Sequence, residues 1–173
     1  TYIGRMAYQK GPDILVDALP MVKEEYWGLQ VIMAGDGGMR PWLEQVAYDR
    51  GLPVRFPGYI TDAEYVRLLN AADLVVIPSR NEPFEIVLPE AWSAGRPVVA
   101  CDVGGLHENI ESYRDGIKVP VSADRIAEGI CQALEDTNRL SKFGRTGRSK
   151  VYRQFRWEGI AQKLDRMYGT VCS

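Results

Sequence analysis

Short apolar runs alternate with amphipathic segments from one end of the chain to the other, and this alternation limits the fold more than any single residue. Residues 12–22 place Ile14, Leu15, Ala18, Leu19 and Val22 on one helical face. Residues 29–34 form a buried-strand run that ends at Gly35-Asp36-Gly37-Gly38. Residues 39–49 are helical again and stop at Gly51, and residues 54–56 make a short strand. Thr61 and Glu64 have the spacing of a capping box at the start of a helix carrying Val66, Leu69 and Ala72. Residues 74–78 are apolar at successive positions, as a central parallel strand must be when both its faces are covered. A helix over 86–94 closes at Gly95, strands follow over 97–101 and 117–119, and a helix spans 123–135. The tail from residue 138 reads as a helix, a break near Gly144 and Gly147, and a second helix over 157–171.

Strands and helices alternating at this spacing predict an α/β, Rossmann-like domain, with one parallel sheet covered by helices on both faces. The 173 residues suit one such domain. In this architecture ligands bind where strands deliver the chain to the next helix. The loops of interest are therefore 4–10, 35–38, 56–61, 79–85 and 102–107. Gly35-Asp36-Gly37-Gly38 lacks the glycine spacing of a dinucleotide fingerprint and follows the second strand, which argues against a dehydrogenase.

Several function classes are excluded by composition. The net charge of −2 gives no chain-wide basic surface for nucleic acid. A single histidine, His107, makes neither a metal site nor a Ser-His-Asp triad by itself, and its place in a strand-to-helix loop suggests a helix-start or packing residue. Cys101, Cys131 and Cys172 are odd in number and widely spaced, so a disulfide framework is not expected and a reducing compartment fits. Cys101 ends a strand and is expected to act as a small core hydrophobe.

Two segments carry candidate chemistry. In the first, a strand ends at Gly4, Arg5 and Lys10 follow in a loop, and Pro12 opens a helix. Two cations before a helix start suit a phosphate or diphosphate, although basic residues are commonly just solvated. In the second, strand 74–78 leads to a loop holding Glu82, and a helix carrying Glu90 follows. These carboxylates are able to accept hydrogen bonds from hydroxyls at two ends of an elongated ligand. The alternative is a solvated Glu82 and a Glu90 paired with a nearby lysine or arginine.

The segments GRMAYQKG and SRNEPFEIVLPEAWSAGRPVVACDVGG, taken together, resemble the signature of the retaining, NDP-sugar-dependent glycosyltransferases of family 4. Glu82 and Glu90 match its paired glutamates, which have seven residues between them. The resemblance continues through AGDGGMRPWLE, VRFPGYIT, LLNAADLVVIPS and FRWEGIAQKLDRMY, and so covers essentially the whole chain. It implies that residues 1–173 are the C-terminal, nucleotide-sugar-binding lobe of a GT-B enzyme whose N-terminal acceptor domain is absent. The start at Thr1 reads as the end of a strand and agrees with a piece of a longer chain.

By the same resemblance Arg5 and Lys10 neutralise the donor diphosphate, and the backbone N–H groups of Ile86 and Val87 hold its distal phosphate. Glu82 contacts the donor sugar near the reacting face, with Phe84 and Glu85 beside it, and Glu90 binds the ribose. Gly58 and Tyr59 line the base. Glu82, Arg5 and Lys10 are the groups nearest the chemistry. The implied reaction transfers a hexosyl group with retention to an unspecified carbohydrate or lipid acceptor. It needs no metal or other cofactor, because the NDP-sugar is a substrate. The upstream domain is the implied protein partner, and nucleic acid is not one. The expected location is the cytoplasm, with any attachment to the inner face of a membrane supplied by the missing domain.

One residue departs from the family pattern. Glu85 stands where the family usually has glycine. A carboxylate there has to turn to solvent or to Arg5 or Lys10, or serve as an acid in the first turn of the helix. It also raises the alternative of a non-catalytic nucleotide-sugar-binding or interaction domain that kept the fold. A sugar-nucleotide epimerase of similar fold is a weaker alternative. The apolar stripe of the last helix (Trp157, Ile160, Ala161, Leu164, Met167, Tyr168, Val171) is expected to pack on its own domain, and otherwise on the upstream one.

Overall fold

Alternate residues along the central strands belong to opposite faces, and this divides the interior into two cores. In β4 (Val75–Ile77), Val76 faces one core while Val75 and Ile77 face the other. In β5 (Val98–Cys101), Val99 and Cys101 face the first core and Val98 and Ala100 the second. A strand with period-two side chains that are apolar on both faces needs helices above and below it. The computed structural model, which describes residues 1–171, has them in both places.

The order is β1 (Tyr2–Ile3), a 3-10 turn at Tyr8–Lys10, α1 (Pro12–Glu25), β2 (Val31–Ala34), α2 (Arg40–Asp49), β3 (Val54–Gly58) and α3 (Asp62–Ala71). Then come β4, α4 (Val87–Ser93), β5, α5 (Gly104–Asn109), β6 (Ile117–Val119), α6 (Ala123–Leu134), α7 (Thr137–Gln154) and α8 (Trp157–Val171). All strand pairs are parallel, within two three-stranded sheets, β1-β2-β3 and β4-β5-β6. Backbone bonds from Thr1 N to Leu74 O and from Val76 N to Thr1 O align the sheets edge to edge. Read across both, the order is β3-β2-β1-β4-β5-β6, with the direction of winding changing between β1 and β4. The crevice beyond the carboxyl ends of those two strands is where such folds bind ligands.

Local chemistry explains most element boundaries. Thr61 and Glu64 form both halves of the expected capping box at α3. Ser122 and Asp136 cap α6 and α7 through side-chain oxygens. Cys101 is fully buried, as expected of a core residue, and burial pushes its thiol up to about 12. Cys101 and Cys131 are free thiols, and Cys172 lies outside the described residues. No described helix is long and apolar enough to cross a membrane.

Two expectations for the tail are corrected. Helix α7 runs unbroken through Gly144 and Gly147. A Cβ on Gly144 would lie 1.9 Å from the Gly95 carbonyl oxygen, and one on Gly147 would lie 2.1 Å from the Trp92 ring. The two glycines let α7 approach α4 closely, and the break falls instead at Phe155 and Arg156. The apolar stripe of α8 does not enter its own core. Trp157, Leu164, Met167 and Tyr168 are exposed, and α8 meets the rest of the protein chiefly at α7. The Val171 side chain lies outside those described.

Candidate functional site

The loop after β1 is held by backbone contacts that leave Lys10 facing the next loop. Met6 is fully buried, and its N–H donates to the Asp36 carbonyl in the glycine-rich turn after β2. Gly11 adopts a left-handed conformation (φ 62°), and a Cβ there would lie 2.0 Å from Pro78 O. Only glycine allows the two loops to come this close. Arg80 fixes the contact from the other side. Its guanidinium donates two hydrogen bonds to the Asp13 carboxylate, at 2.8 and 2.6 Å, and a third to Tyr8 O, and it stacks 4.0 Å over the Tyr8 ring.

The loop after β4 carries two buried carboxylates to Lys10. Glu82 and Glu85 expose only 8 % and 7 % of their surface. Lys10 Nζ donates to Glu82 Oε2 at 2.5 Å and to Glu85 Oε2 at 2.8 Å. Ser79 Oγ donates to Glu85 at 3.4 Å. The loop after β5 braces the far side, where Gly105 N donates to Glu82 O at 2.8 Å.

One cation is thus shared by two anions, and both kinds of group respond. Burial raises the Glu85 carboxyl above the usual carboxylate range, the neighbouring Glu82 adds to the rise, and Lys10 only partly offsets it. For Lys10, burial pulls the ammonium down, but the bonds from Glu82 and Glu85 outweigh it and hold its pKa above the ordinary lysine value.

Of the residues named from the sequence, the structure gathers Lys10, Glu82 and Glu85. Arg5 stays outside this cluster; its side chain is exposed and makes no ion pair among the described residues. Glu82 is not a solvated loop residue. Glu85 precedes α4 rather than lying in its first turn, so the helix-capping role is corrected: the carboxylate turns inward to Lys10. Ile86 is the N-cap and Val87 the first residue of α4, and their N–H groups have no partner within that helix. Phe84 is half exposed, with its ring 6.0 Å from that of Phe155. Gly58 ends β3 at positive φ, and Tyr59 beyond it is exposed. His107 is also exposed and not a packing residue; its Nδ1 lies 2.8 Å from Asp102 Oδ1.

Glu90 pairs with neither lysine nor arginine. The Tyr65 hydroxyl, from α3, donates to it in a short hydrogen bond. Burial first, and then this bond, push the Tyr65 phenol well above its ordinary value. Tyr65, Arg80, Asp13 and Ser79 were missed by sequence reasoning. Arg80 and Ser79 lie inside the motif segment and were within reach, but nothing in the sequence pairs Tyr65 with Glu90.

Among the described residues no three histidine, cysteine or acidic side chains gather as metal ligands do. A concavity of about 620 Å³ opens at the opposite, amino-terminal edge of the sheets, beside Trp27, Leu68 and Leu74, and contains none of Lys10, Glu82 or Glu85.

Comparison with known proteins agrees with this architecture. Residues 1–136 match the model of the family described as glycosyl transferases group 1. An uncharacterized glycosyltransferase of Methanocaldococcus jannaschii is 38 % identical over 170 residues, covering 96 % of this chain and 43 % of that protein. The GDP-mannose-dependent α-(1-6)-phosphatidylinositol monomannoside mannosyltransferase of Mycobacterium tuberculosis is 33 % identical over 172 residues, covering 94 % of this chain and 45 % of that one. The crystal structure of Anabaena HepE in complex with UDP-glucose superposes with a TM-score of 0.86 at 29 % identity, over 98 % of this chain and 48 % of that one. The chain spans less than half the length of each of these relatives. With its family model, its relatives and its two-sided parallel sheets in agreement, the chain belongs to the glycosyl transferases group 1 family and folds as one lobe of the GT-B architecture.

Proposed function

We propose that this lobe holds the nucleoside-diphosphate end of an NDP-sugar and presents its anomeric carbon for retaining hexosyl transfer to an acceptor hydroxyl. The observation that carries the reading is the meeting of Lys10 with Glu82 and Glu85 between the carboxyl ends of β1 and β4, where this fold places ligands. As the glycosidic bond to the diphosphate breaks, negative charge grows on the leaving phosphate and positive charge on the sugar ring. Arg5, Lys10 and the N–H groups of Ile86 and Val87 stabilise the first. Glu82 lies within bonding distance of Lys10 and spans from diphosphate to sugar, and Glu90 takes the ribose hydroxyls. No metal or other cofactor has a part in this scheme.

The relatives include a protein solved with UDP-glucose and one that depends on GDP-mannose, so the base is chosen by local contacts, which we assign to the segment around Gly58 and Tyr59. The acceptor is a carbohydrate or lipid hydroxyl brought by an upstream lobe. Free thiols at Cys101 and Cys131 fit a reducing cytoplasm.

The test is a thermal-shift panel of nucleotides and NDP-sugars, because a ligand specific to the folded state raises the melting temperature. Stabilisation by one NDP-sugar above its free base and sugar is expected. Stabilisation by none of them would overturn the reading. The chain by itself is expected to bind donor weakly and transfer no sugar, and fusion to an upstream lobe to restore transfer. The second reading, a nucleotide-sugar-binding domain without catalysis, is favoured by Glu85, whose carboxylate occupies the cation meant for the phosphate. Binding by the fused protein without any transfer would establish it.

A further inference from the structure

Lys10 and Glu82 have tasks in the proposed reaction, and Glu85 has none. It is nevertheless buried, acidic and fixed at the subsite assigned to two negative phosphates. The groups that face it come from four elements. Lys10 approaches from the loop after β1 and the Tyr2 phenol from β1 itself. The Tyr65 phenol, bonded to Glu90 of α4, approaches from α3. Ser79 and Glu82 share its own loop. Both phenols are neutral across the physiological range, since burial drives each above its ordinary value and the nearby acids add to the rise. Lys10 is therefore the one cation in this set, and it already serves two carboxylates.

Resting on the NDP-sugar reading, we infer that Glu85 is the resident counter-ion of Lys10 in the free protein, and that seating the donor diphosphate is coupled to uptake of one proton by Glu85. Lys10 cannot give its full charge to a phosphate while it holds both acids. Once it turns to the phosphate, an ionised Glu85 is left buried, without its cation and next to new negative charge. That state is costly, and a carboxyl escapes it by taking a proton from solvent. The protonated carboxyl becomes a hydrogen-bond donor in a place that now offers phosphate oxygens as acceptors. The step is a single proton transfer: an O–H bond forms on a Glu85 oxygen as a buffer acid in solvent gives up its proton. Burial already holds this carboxyl above its usual range before any ligand arrives. Donor affinity should then rise as pH falls.

The test is titration calorimetry of the full chain with UDP-glucose, whose diphosphate has no group titrating near neutrality, from pH 6 to 8. Each pH is run in two buffers of different ionisation enthalpy to count protons. The wild-type protein is expected to take up close to one proton inside its transition. Its dissociation constant should rise with pH, by at most about tenfold per pH unit. Glu85→Gln should take up none, keep an affinity within about twofold across the range, and bind more tightly than wild type at pH 8. Glu85→Ala should behave alike and guards against an effect peculiar to glutamine. Wild-type binding without proton uptake would overturn the inference and leave the donor reading intact. Unchanged uptake in both variants, or weaker binding by both at every pH, would do the same. Failure of UDP-glucose and of GDP-mannose to bind at any pH would overturn the donor reading and this inference together.

Discussion

Arg80 grips Asp13 through two hydrogen bonds, and with that contact the loop after β4 is tied to the first turn of α1 across 67 residues of sequence. Both side chains are largely sheltered, at 22 % and 16 % exposure, so solvent screens the pair less than a surface ion pair. A double-mutant cycle of Arg80→Ala and Asp13→Ala, followed by chemical denaturation, should give a coupling of about 1–2 kcal/mol. Nucleotide-sugar affinity should fall in both single variants, because Lys10 and Glu82 hang from the two loops this pair joins. Coupling below about 0.3 kcal/mol would make the pair incidental.

Arg5 and Lys10 are expected to contribute separately to diphosphate binding. Arg5→Ala and Lys10→Ala should each weaken NDP binding by roughly 1.5–3 kcal/mol, the scale of a hydrogen bond to a charged group. Calorimetry with and without EDTA is the measurement, and the chelator should change nothing. Unchanged affinity in both variants would remove these residues from the site.

Tyr65 is expected to act through Glu90, as a positioning residue. Tyr65→Phe keeps the ring and removes the donor, and should cost nucleotide affinity about 1 kcal/mol. Binding of ligands that lack ribose, such as a sugar phosphate, should be unaffected. An equal loss for both ligand classes would mean general loosening of α3 against α4.

The sign of a glycine substitution tests the corrected course of α7. If Gly144 and Gly147 lay in an open, unstrained break, alanine at either position would stabilise the protein by about 0.4–1 kcal/mol. Inside a continuous helix pressed on Gly95 and Trp92, each alanine should instead destabilise, by about 1–3 kcal/mol. Thermal melts of the two variants decide between them.

Glu85 should also leave a mark on stability as pH changes. Its folded-state pKa is raised above the unfolded value, near 4.3. Its favourable contribution is therefore complete below about pH 4 and is lost as pH rises through the raised value. Glu85→Gln should raise the melting temperature at pH 8, and the gain should shrink toward zero by about pH 4. A gain independent of pH would show that packing, and not charge, is responsible.

The parallel strands and the helices on both their faces were legible because they follow from periodicity. Val75, Val76 and Ile77 read as a two-sided strand from three letters, and Thr61 with Glu64 announced α3. The candidate site was legible as a set of residues and not as a geometry. Glu82 and Lys10 are 72 positions apart, and neither spacing nor composition shows that one ammonium will serve two buried acids. Gly144 was misread because a glycine that breaks a helix and one that lets a helix dock look the same in sequence. The α8 stripe was misassigned for a similar reason: amphipathicity identifies a face that seeks cover and does not say which surface supplies it.

Phe155, at the corner where α7 gives way to α8, has its ring 6.0 Å from that of Phe84 in the loop that bears Glu82 and Glu85. Helix α8 is about 22 Å long and starts just beyond that corner. Trp157 opens the helix and stands in water, while Trp92 is sealed in the interior. Cover over α8 is therefore legible at Trp157, whose emission shifts to the blue when the helix comes to rest on another surface, once the other exposed tryptophans, Trp27 and Trp42, are replaced.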